Sequence, residues 1–527
     1  MKKILFILVA TGAISLTACK KSDFADSYAN PSSVANSNVE KQFAGFLASN
    51  RWYVLPDYWN YFVVLRTTLN HYNQAVGWAN SANQYVPGAA SITDRWNNYY
   101  NFLAQFRELE NIYAKLPEDD QKDRRIFMIA ATIYLYDHTQ KVVDLHGDIP
   151  WSEAGKMSAN GGDYANSLPK YDKADAIYTK MLDDLKGFAD ELNTISIKNP
   201  IQEGFKNQDF VNNGDLAIWK KYCNSLRLRM LARVSGVTAF QSRVATETAA
   251  ILGDPNKYPL ITDNADNVLI NVYNLNSEIH SKNFRTGLED WDGNIAGKAM
   301  IDHMKTNSDP RLRAIFEPGA NAGGVYNGLD PMLNSSTQTS LIAGGTMSIY
   351  NRSTLSRNQY FPGVLITAAE VSYLVAEAYL RAGNDAAAKT AYNKGIAQST
   401  EFYYWLRTLS NDNVSGTLAP TNATEIAAYV ASPGVKWENA TTTAEKLKLL
   451  ATQKWIHFNV VQPVESWAEI RRFDAPVFNF EVDNANAQKQ PPYRWLYATA
   501  EQTYNTANYS TVKAQDNLTT KIFWDTK

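Results

Sequence analysis

Apolar side chains recur at spacings of three and four along most of this chain, and that rhythm restricts it to a helical architecture. Ala174, Ile177, Tyr178, Met181, Leu182, Leu185 and Leu192 form one such series, with Asp, Lys and Glu between them. A helix turns once in about 3.6 residues, so the series lies on one face and needs a neighbour to bury it. Comparable patterns run through residues 96–116, 124–145, 216–234, 367–382, 385–397 and 444–461. Alternating strand patterns are sparse, the clearest being residues 267–273. The expected fold class is all-α for the most part, with little β.

One helical pair carries a more specific signature. Residues 376–385 read Ala-Glu-Ala-Tyr-Leu-Arg-Ala-Gly-Asn-Asp and are followed by Ala387, Ala391, Tyr392 and Ile396. Small Ala residues allow close helix approach, Gly383 permits a tight exit, and tyrosines fill the groove. The segment resembles the helix-turn-helix of a tetratricopeptide repeat. Such a unit cannot bury its faces alone, so further pairs are expected, among them 124–145 against the 170s helix. From about 271 to 360 the composition shifts to Gly, Asn, Ser and Asp, with isolated Trp291, Tyr326, Tyr350 and Tyr360. This reads as a loop-rich insertion set on a helical scaffold.

The N-terminus specifies a location. Lys2 and Lys3 precede an apolar stretch from Ile4 to Leu16 that is too short to span a bilayer, and Leu16-Thr17-Ala18-Cys19 closes it. A small-residue cleavage site ending in cysteine resembles the lipobox of bacterial lipoproteins. Residues 1–18 are expected to be a signal peptide, Cys19 the lipidated residue, 19–38 a flexible Ser/Asn/Asp-rich tether, and 39–527 a single domain. The other cysteine, Cys223, lies in an apolar-rich segment and is expected to be a buried thiol.

Charge and motif content exclude several functions. The formal net charge is −2 with no long basic run, which argues against nucleic acid as a partner. Residues 293–299 fall one residue short of a phosphate loop and lack its Ser or Thr. No nucleophile elbow occurs, and no histidine pair has metal-ligand spacing. Asp290, Asp292 and Asn294 match the opening of a calcium loop, but Ile295 and Ile301 occupy the turn-glycine and bidentate-glutamate positions. No catalytic residue, metal or cofactor is expected.

Several segments in shared order resemble the SusD/RagB family, in particular its SusD-like branch. They include Asp144-Leu145-His146-Gly147-Asp148-Ile149-Pro150 with Glu153-Ala154, Leu168-Pro169-Lys170-Tyr171-Asp172, and Gly214-Asp215 with Trp219 and Asn224-Ser225-Leu226-Arg227-Leu228-Arg229. Asp309-Pro310-Arg311-Leu312, Thr367-Ala368-Ala369-Glu370, and Lys454-Trp455-Ile456 with Trp467 and Arg471-Arg472 follow. Residues 494–505 resemble the family's closing motif, with Ala498 in place of a proline, a change expected to loosen that turn. Arg227 and Arg229 are expected to pair with carboxylates between helices. The resemblance implies helix pairs under an irregular ligand-binding face. It also implies an outer-membrane, cell-surface lipoprotein that captures oligosaccharide without catalysis and delivers it to a SusC-like TonB-dependent transporter. Alternatives are a peptide receptor of the same type or a surface-anchored glycoside hydrolase.

Sugar rings present apolar C–H faces bordered by hydroxyls, so a glycan site needs flat aromatic platforms beside hydrogen-bonding groups. Aromatic residues make up 12% of the chain, enough to leave rings for such platforms. Residues 70–85 interleave Trp78 and Tyr85 with Asn73, Gln74, Asn80 and Asn83, and residues 283–294 place Arg285 and Trp291 beside Asp290 and Asp292. The candidate ligand-binding residues are therefore Asn73, Trp78, Asn83, Tyr85, Arg285, Asp290, Trp291, Tyr326 and Tyr350. Trp52, Tyr58, Trp59, Trp96, Tyr99 and Tyr100 are expected to be helix core. Charge pairing by Arg285, Asp290 and Asp292 would serve the peptide alternative.

Overall fold

A computed structural model describes residues 37–483 and 488–527. The signal peptide, Cys19 and the tether up to residue 36 lie outside the described residues.

The longer helices are α1 (Val39–Ser49), α2 (Ala89–Ala114), α3 (Arg125–His146), α4 (Ala174–Glu191), α5 (Leu216–Arg233), α6 (Gln241–Gly253), α7 (Ala368–Arg381), α8 (Asp385–Leu409), α9 (Thr443–Phe458) and α10 (Pro463–Phe473). Their starts are written in side chains that satisfy the free amides of the first turn. Asp215 accepts from the amides of Ala217 and Ile218, Asn384 from that of Ala387, and Thr442 with Glu445 forms a reciprocal capping box at α9. Gly147 ends α3 at φ +79°, a left-handed value that a side chain disfavours. Ala498 holds φ −62°, the value a proline would impose, so the closing turn keeps its geometry without the ring.

The sheet content is three two-stranded antiparallel pairs among the described residues. Strand β1 (Ile149–Pro150) meets β2 (Tyr171–Asp172), β3 (Val268–Ile270) meets β6 (Gly363–Ile366), and β4 (Phe316–Glu317) meets β5 (Ile349–Tyr350). The expected 267–273 strand is thus present but shorter, with Val268 opposite Ile366.

Helix α3 is the axis of the core and is buried almost all round, its first half apolar and its second half carrying Asp137, His138 and Asp144. The ring of Phe127 meets that of Phe43 on α1 at 5.3 Å, and the Tyr178 hydroxyl of α4 donates to Asp144 at 2.6 Å. The C-terminal segment closes over the end of α3, where the Trp495 amide donates to the Leu145 carbonyl at 2.7 Å and the Trp524 indole donates to Asp144 at 2.7 Å. Helices α7 and α8 form a hairpin turned at Gly383, φ +78°. They approach so closely that a Cβ at Gly395 would stand 2.5 Å from the Tyr373 ring. Tyr392 fills the far side, and its hydroxyl donates to the Val435 carbonyl at 2.9 Å.

Buried charge pairs tie six helices together. Arg229 on α5 clasps Glu370 on α7 at 2.5 and 2.9 Å and reaches Asp137 on α3 at 2.9 Å. One turn later Arg233 pairs with Asp144 and, at 2.6 Å, with Glu465 on α10. Arg472 bridges Glu377 at 2.5 Å and Glu469 at 2.6 Å, and Lys454 on α9 joins Glu469 at 2.6 Å. Arg227 pairs with Glu247 of α6 at 2.6 Å. The expected interhelical pairing of both arginines is therefore present. Cys223 is buried with its thiol 3.4 Å from the Leu185 carbonyl, and burial pushes that thiol up to about 12.

Candidate functional site

The irregular face is assembled by clamping one loop onto the 290s and 340s segments. Gly77 donates its amide to the Ile295 carbonyl at 2.7 Å, and bridges join Val76 to Ala296, Ile295 to Ile349 and Gly297 to Leu329. Side chains have been dispensed with where strands cross: a Cβ at Gly297 would lie 2.3 Å from the Gln74 carbonyl oxygen. From below, the Trp455 indole donates to the Asn73 carbonyl at 2.8 Å and the Gln74 amide to the Asn479 carbonyl at 2.6 Å. Asn80 donates to the Pro331 and Leu333 carbonyls at 2.8 and 3.1 Å, tying the loop tip to the 330s.

Three expected ligand-binding residues turn out to belong to this frame. Asn73 is wholly buried and donates to the Pro463 carbonyl at 3.0 Å. Tyr85 stacks on His71 at 5.6 Å and donates to the Glu481 carbonyl at 2.6 Å. Tyr350 is buried with its hydroxyl on the Ala75 carbonyl at 2.8 Å. Their rings and amides hold the loop's backbone, which leaves no surface for a ligand. This corrects the expectation for Asn73, Tyr85 and Tyr350.

The remaining candidates reach the surface, and two of them come together. Trp78, half-buried, and Trp291, 80% exposed, line one cleft of about 490 Å³ together with Arg66, Gly77, Asp292, Thr339 and Ile342. Pockets of several hundred Å³ are typical for small ligands. Asp290 is exposed beside the cleft in the turn that carries Trp291. Asn83 stands exposed at φ +59° and Arg285 is exposed 3.8 Å from Glu289; neither lines the cleft. Tyr326 is half-buried, also outside it, with its carbonyl accepting from Lys305 at 2.6 Å.

Trp291 and Asp292 adopt φ +56° and +57°, two consecutive left-handed residues without a glycine. Each costs on the order of 1–2 kcal/mol for an L-residue, so the surrounding packing must hold the turn. It does so at Gly293, where a Cβ would meet the Leu288 carbonyl oxygen at 2.7 Å and the Arg66 side chain at 3.0 Å.

The sequence reading missed Arg66, which lines the cleft, and the aromatic row beside it. Residues 59–65 form a π-helical turn, closed by the Arg66 amide donating to the Tyr61 carbonyl at 2.9 Å. Its surface carries Tyr58 stacked on Phe62 at 4.9 Å, with Phe62 edge-on to Trp291 at 6.3 Å. Trp59, expected in the core, is 59% exposed at the end of this row. The Arg66 guanidinium lies 4.3 Å from the Phe62 centroid, 5.5 Å from Trp78 and 5.8 Å from Trp291, a cation between three rings. Burial lowers its affinity for a proton, with Tyr58 acting the other way. The spacing of Tyr58, Phe62 and Arg66 by four was the available signal.

Among the described residues no group of three or more His, Cys, Asp or Glu stands in a metal-holding arrangement. Among them, too, no helix is long and apolar enough to cross a membrane. Chemically the cleft offers flat rings, a guanidinium, a hydroxyl and one carboxylate, a set suited to holding a polar ring compound.

Comparison with known proteins is consistent with this architecture. A SusD-like family model, described as starch-binding associating with outer membrane, matches residues 36–498. Among solved structures, a chitin-binding protein is 22% identical with a TM-score of 0.72, covering 92% of this chain and 100% of its own. A Bacteroidetes SusD-like protein is 21% identical with a TM-score of 0.74 over 93% and 100%. A SusD homolog from Bacteroides fragilis is 20% identical with a TM-score of 0.71 over 93% and 100%. At these identities the likeness is one of fold. No curated protein matches the sequence.

Proposed function

The chain belongs to the SusD-like family, described as starch-binding and associating with the outer membrane, and on that premise we propose that it captures oligosaccharide at the cell surface without transforming it. In this reading Cys19 carries the lipid, residues 19–38 are the tether, and 39–527 act as one domain. The bound saccharide passes to a SusC-like TonB-dependent transporter, against which the helix pairs pack.

The observation that carries the reading is the pairing of Trp78 and Trp291 across one cleft, with Arg66 between them. Exposed indole faces are costly in water and match the apolar faces of pyranose rings. That a chitin-binding protein shares the fold supports a polysaccharide-derived ligand. The test is isothermal titration against maltose-, chitin- and xylan-derived and uronate-bearing oligosaccharides, with the Trp78→Ala/Trp291→Ala double variant alongside. Binding abolished in the variant is expected. Absence of binding to every saccharide, or binding unchanged in the variant, overturns the reading. Delivery is tested by co-purification from outer membranes, where a TonB-dependent barrel should accompany the wild-type protein.

A further inference from the structure

Arg66 differs from the paired arginines of the loop-rich segment. Arg352 is paired with Glu317 at 2.9 Å, Arg357 with Glu289 at 2.8 Å, and Arg313 with Glu425 at 2.6 Å. The Arg66 side chain has neither a hydrogen-bond acceptor nor an ion-pair partner among the described residues, and its Nε is covered by protein with nothing to donate to. Its terminal nitrogens are not covered in this way, so they remain open to the cleft. Although Asp292 lines the same cleft, neither it nor Asp290 comes within ion-pair distance of the Arg66 guanidinium.

A guanidinium fixed between aromatic rings and stripped of part of its water lacks the counter-charge that would offset the loss. Its planar fork matches a carboxylate bidentately, and the rings limit the freedom lost on binding. Neutral hydroxyls would also accept from it, but only an anion removes the uncompensated charge.

We propose that the cleft selects an acidic oligosaccharide, one whose uronic-acid carboxylate pairs with Arg66 while neighbouring sugar rings stack on Trp78 and Trp291. This rests on the cleft being a saccharide site. Asp292 on the same cleft disfavours closely spaced negative charge, so the fitting ligand carries uronates separated by neutral sugars rather than a continuous polyuronate.

The test is titration calorimetry with three such ligands: glucuronoxylo-oligosaccharides, glucuronate-tipped arabinogalactan fragments and hyaluronan oligosaccharides. Each is paired with its carboxyl methyl ester, which keeps shape and removes charge. Neutral maltose-, chitin- and xylan-derived oligosaccharides and a peptide pool complete the panel. At least one uronate ligand should bind, and esterification should weaken it on the order of tenfold to a hundredfold, the worth of a charge-assisted pair. Arg66→Met should abolish the difference between acid and ester, Arg66→Lys should retain part of it, and added salt should weaken the acid form alone. Thermal midpoints matching wild type confirm that both variants fold. If neutral sugars or methyl esters bind as well as the acids, the acid preference is wrong and the capture reading stands. If only peptides bind, or nothing does, both are wrong.

Discussion

Gly77 and Leu329 stand so close that a Cβ at position 77 would lie 2.6 Å from the Leu329 Cβ. The same glycine donates to Ile295 and is followed by Trp78, so the position of that ring depends on this crossing. Gly77→Ala should cost about 1–3 kcal/mol of stability through overpacking and should weaken saccharide binding by displacing Trp78. Gly45→Ala in α1, where nothing lies within 4 Å, is the control. It should stabilise by about 0.5–1 kcal/mol, because alanine replaces glycine inside a helix. Thermal denaturation of the two variants beside titration reads both effects.

Trp291 joins a strained backbone to an exposed ring. Because it is 80% exposed, its loss should leave the fold intact. Trp291→Ala should cost about 2 kcal/mol of ligand affinity, roughly thirtyfold. Trp291→Gly should bind as weakly and yet be about 1 kcal/mol more stable than the alanine variant, since glycine accepts φ +56° without penalty. Equal stabilities would show that the turn stores no strain.

Stability should fall with mild acid, for a reason that lies in the histidines. His71, His146 and His457 are each held down to about 3 by burial, and His303 to about 4. His138 is also held well below its ordinary value, again first by burial. An unfolded chain protonates these rings near pH 6.5, the folded one only far below. Above about pH 6.5 they leave stability unchanged; as pH falls towards 4 each removes up to about 1.4 kcal/mol per unit. Carboxylates held low by their ion pairs, Glu377 and Glu469 among them, add to the loss only below about pH 4.5. A denaturation midpoint that drops steadily between about pH 6.5 and 5 is expected, and a flat profile there contradicts the neutral burial of these rings.

How much of this was legible in the sequence depends on whether a pattern had a period. The helical stripes located α3 to α5, α7 and α9 to within about three residues, because amphipathic burial repeats, whereas α2 begins seven residues before the expected 96–116. Helix α8 was expected to stop at Ala397, since Gln398, Ser399 and Thr400 interrupt the stripe. These polar residues are buried with partners instead, Gln398 with Ser372 at 2.6 Å and Ser399 with Arg311 at 3.0 Å. In the loops no period exists, so residue type alone had to separate ligand-facing from frame-forming aromatics. It named Trp78 and Trp291, which line the cleft, and also Tyr85 and Tyr350, whose rings serve the frame. Trp59 and Arg66 stand at the two ends of the π turn, where the four-residue spacing of Tyr58, Phe62 and Arg66 marks a shared face but not whether that face is buried or open.

The buried charge lattice should be the most sensitive part of the scaffold. Arg229 and Glu370 are each about 1–2% exposed, so neither can recruit water if its partner is lost. Arg229→Met leaves Glu370 uncompensated and Asp137 with Lys141 as its remaining cation, and should cost about 3–5 kcal/mol, whereas Arg285→Ala on the surface should cost under about 1 kcal/mol. The damage should extend to the site through α10. Glu465, which accepts from Arg233 at 2.6 Å, lies two residues after Pro463, whose carbonyl anchors the Asn73 side chain. Glu465→Gln should therefore loosen the 73–77 clamp as well as the core. Hydrogen exchange should show faster amide exchange at Asn73 and Gly77 in Glu465→Gln than in Arg285→Ala. Unchanged exchange there would mean that the lattice and the clamp are energetically separate.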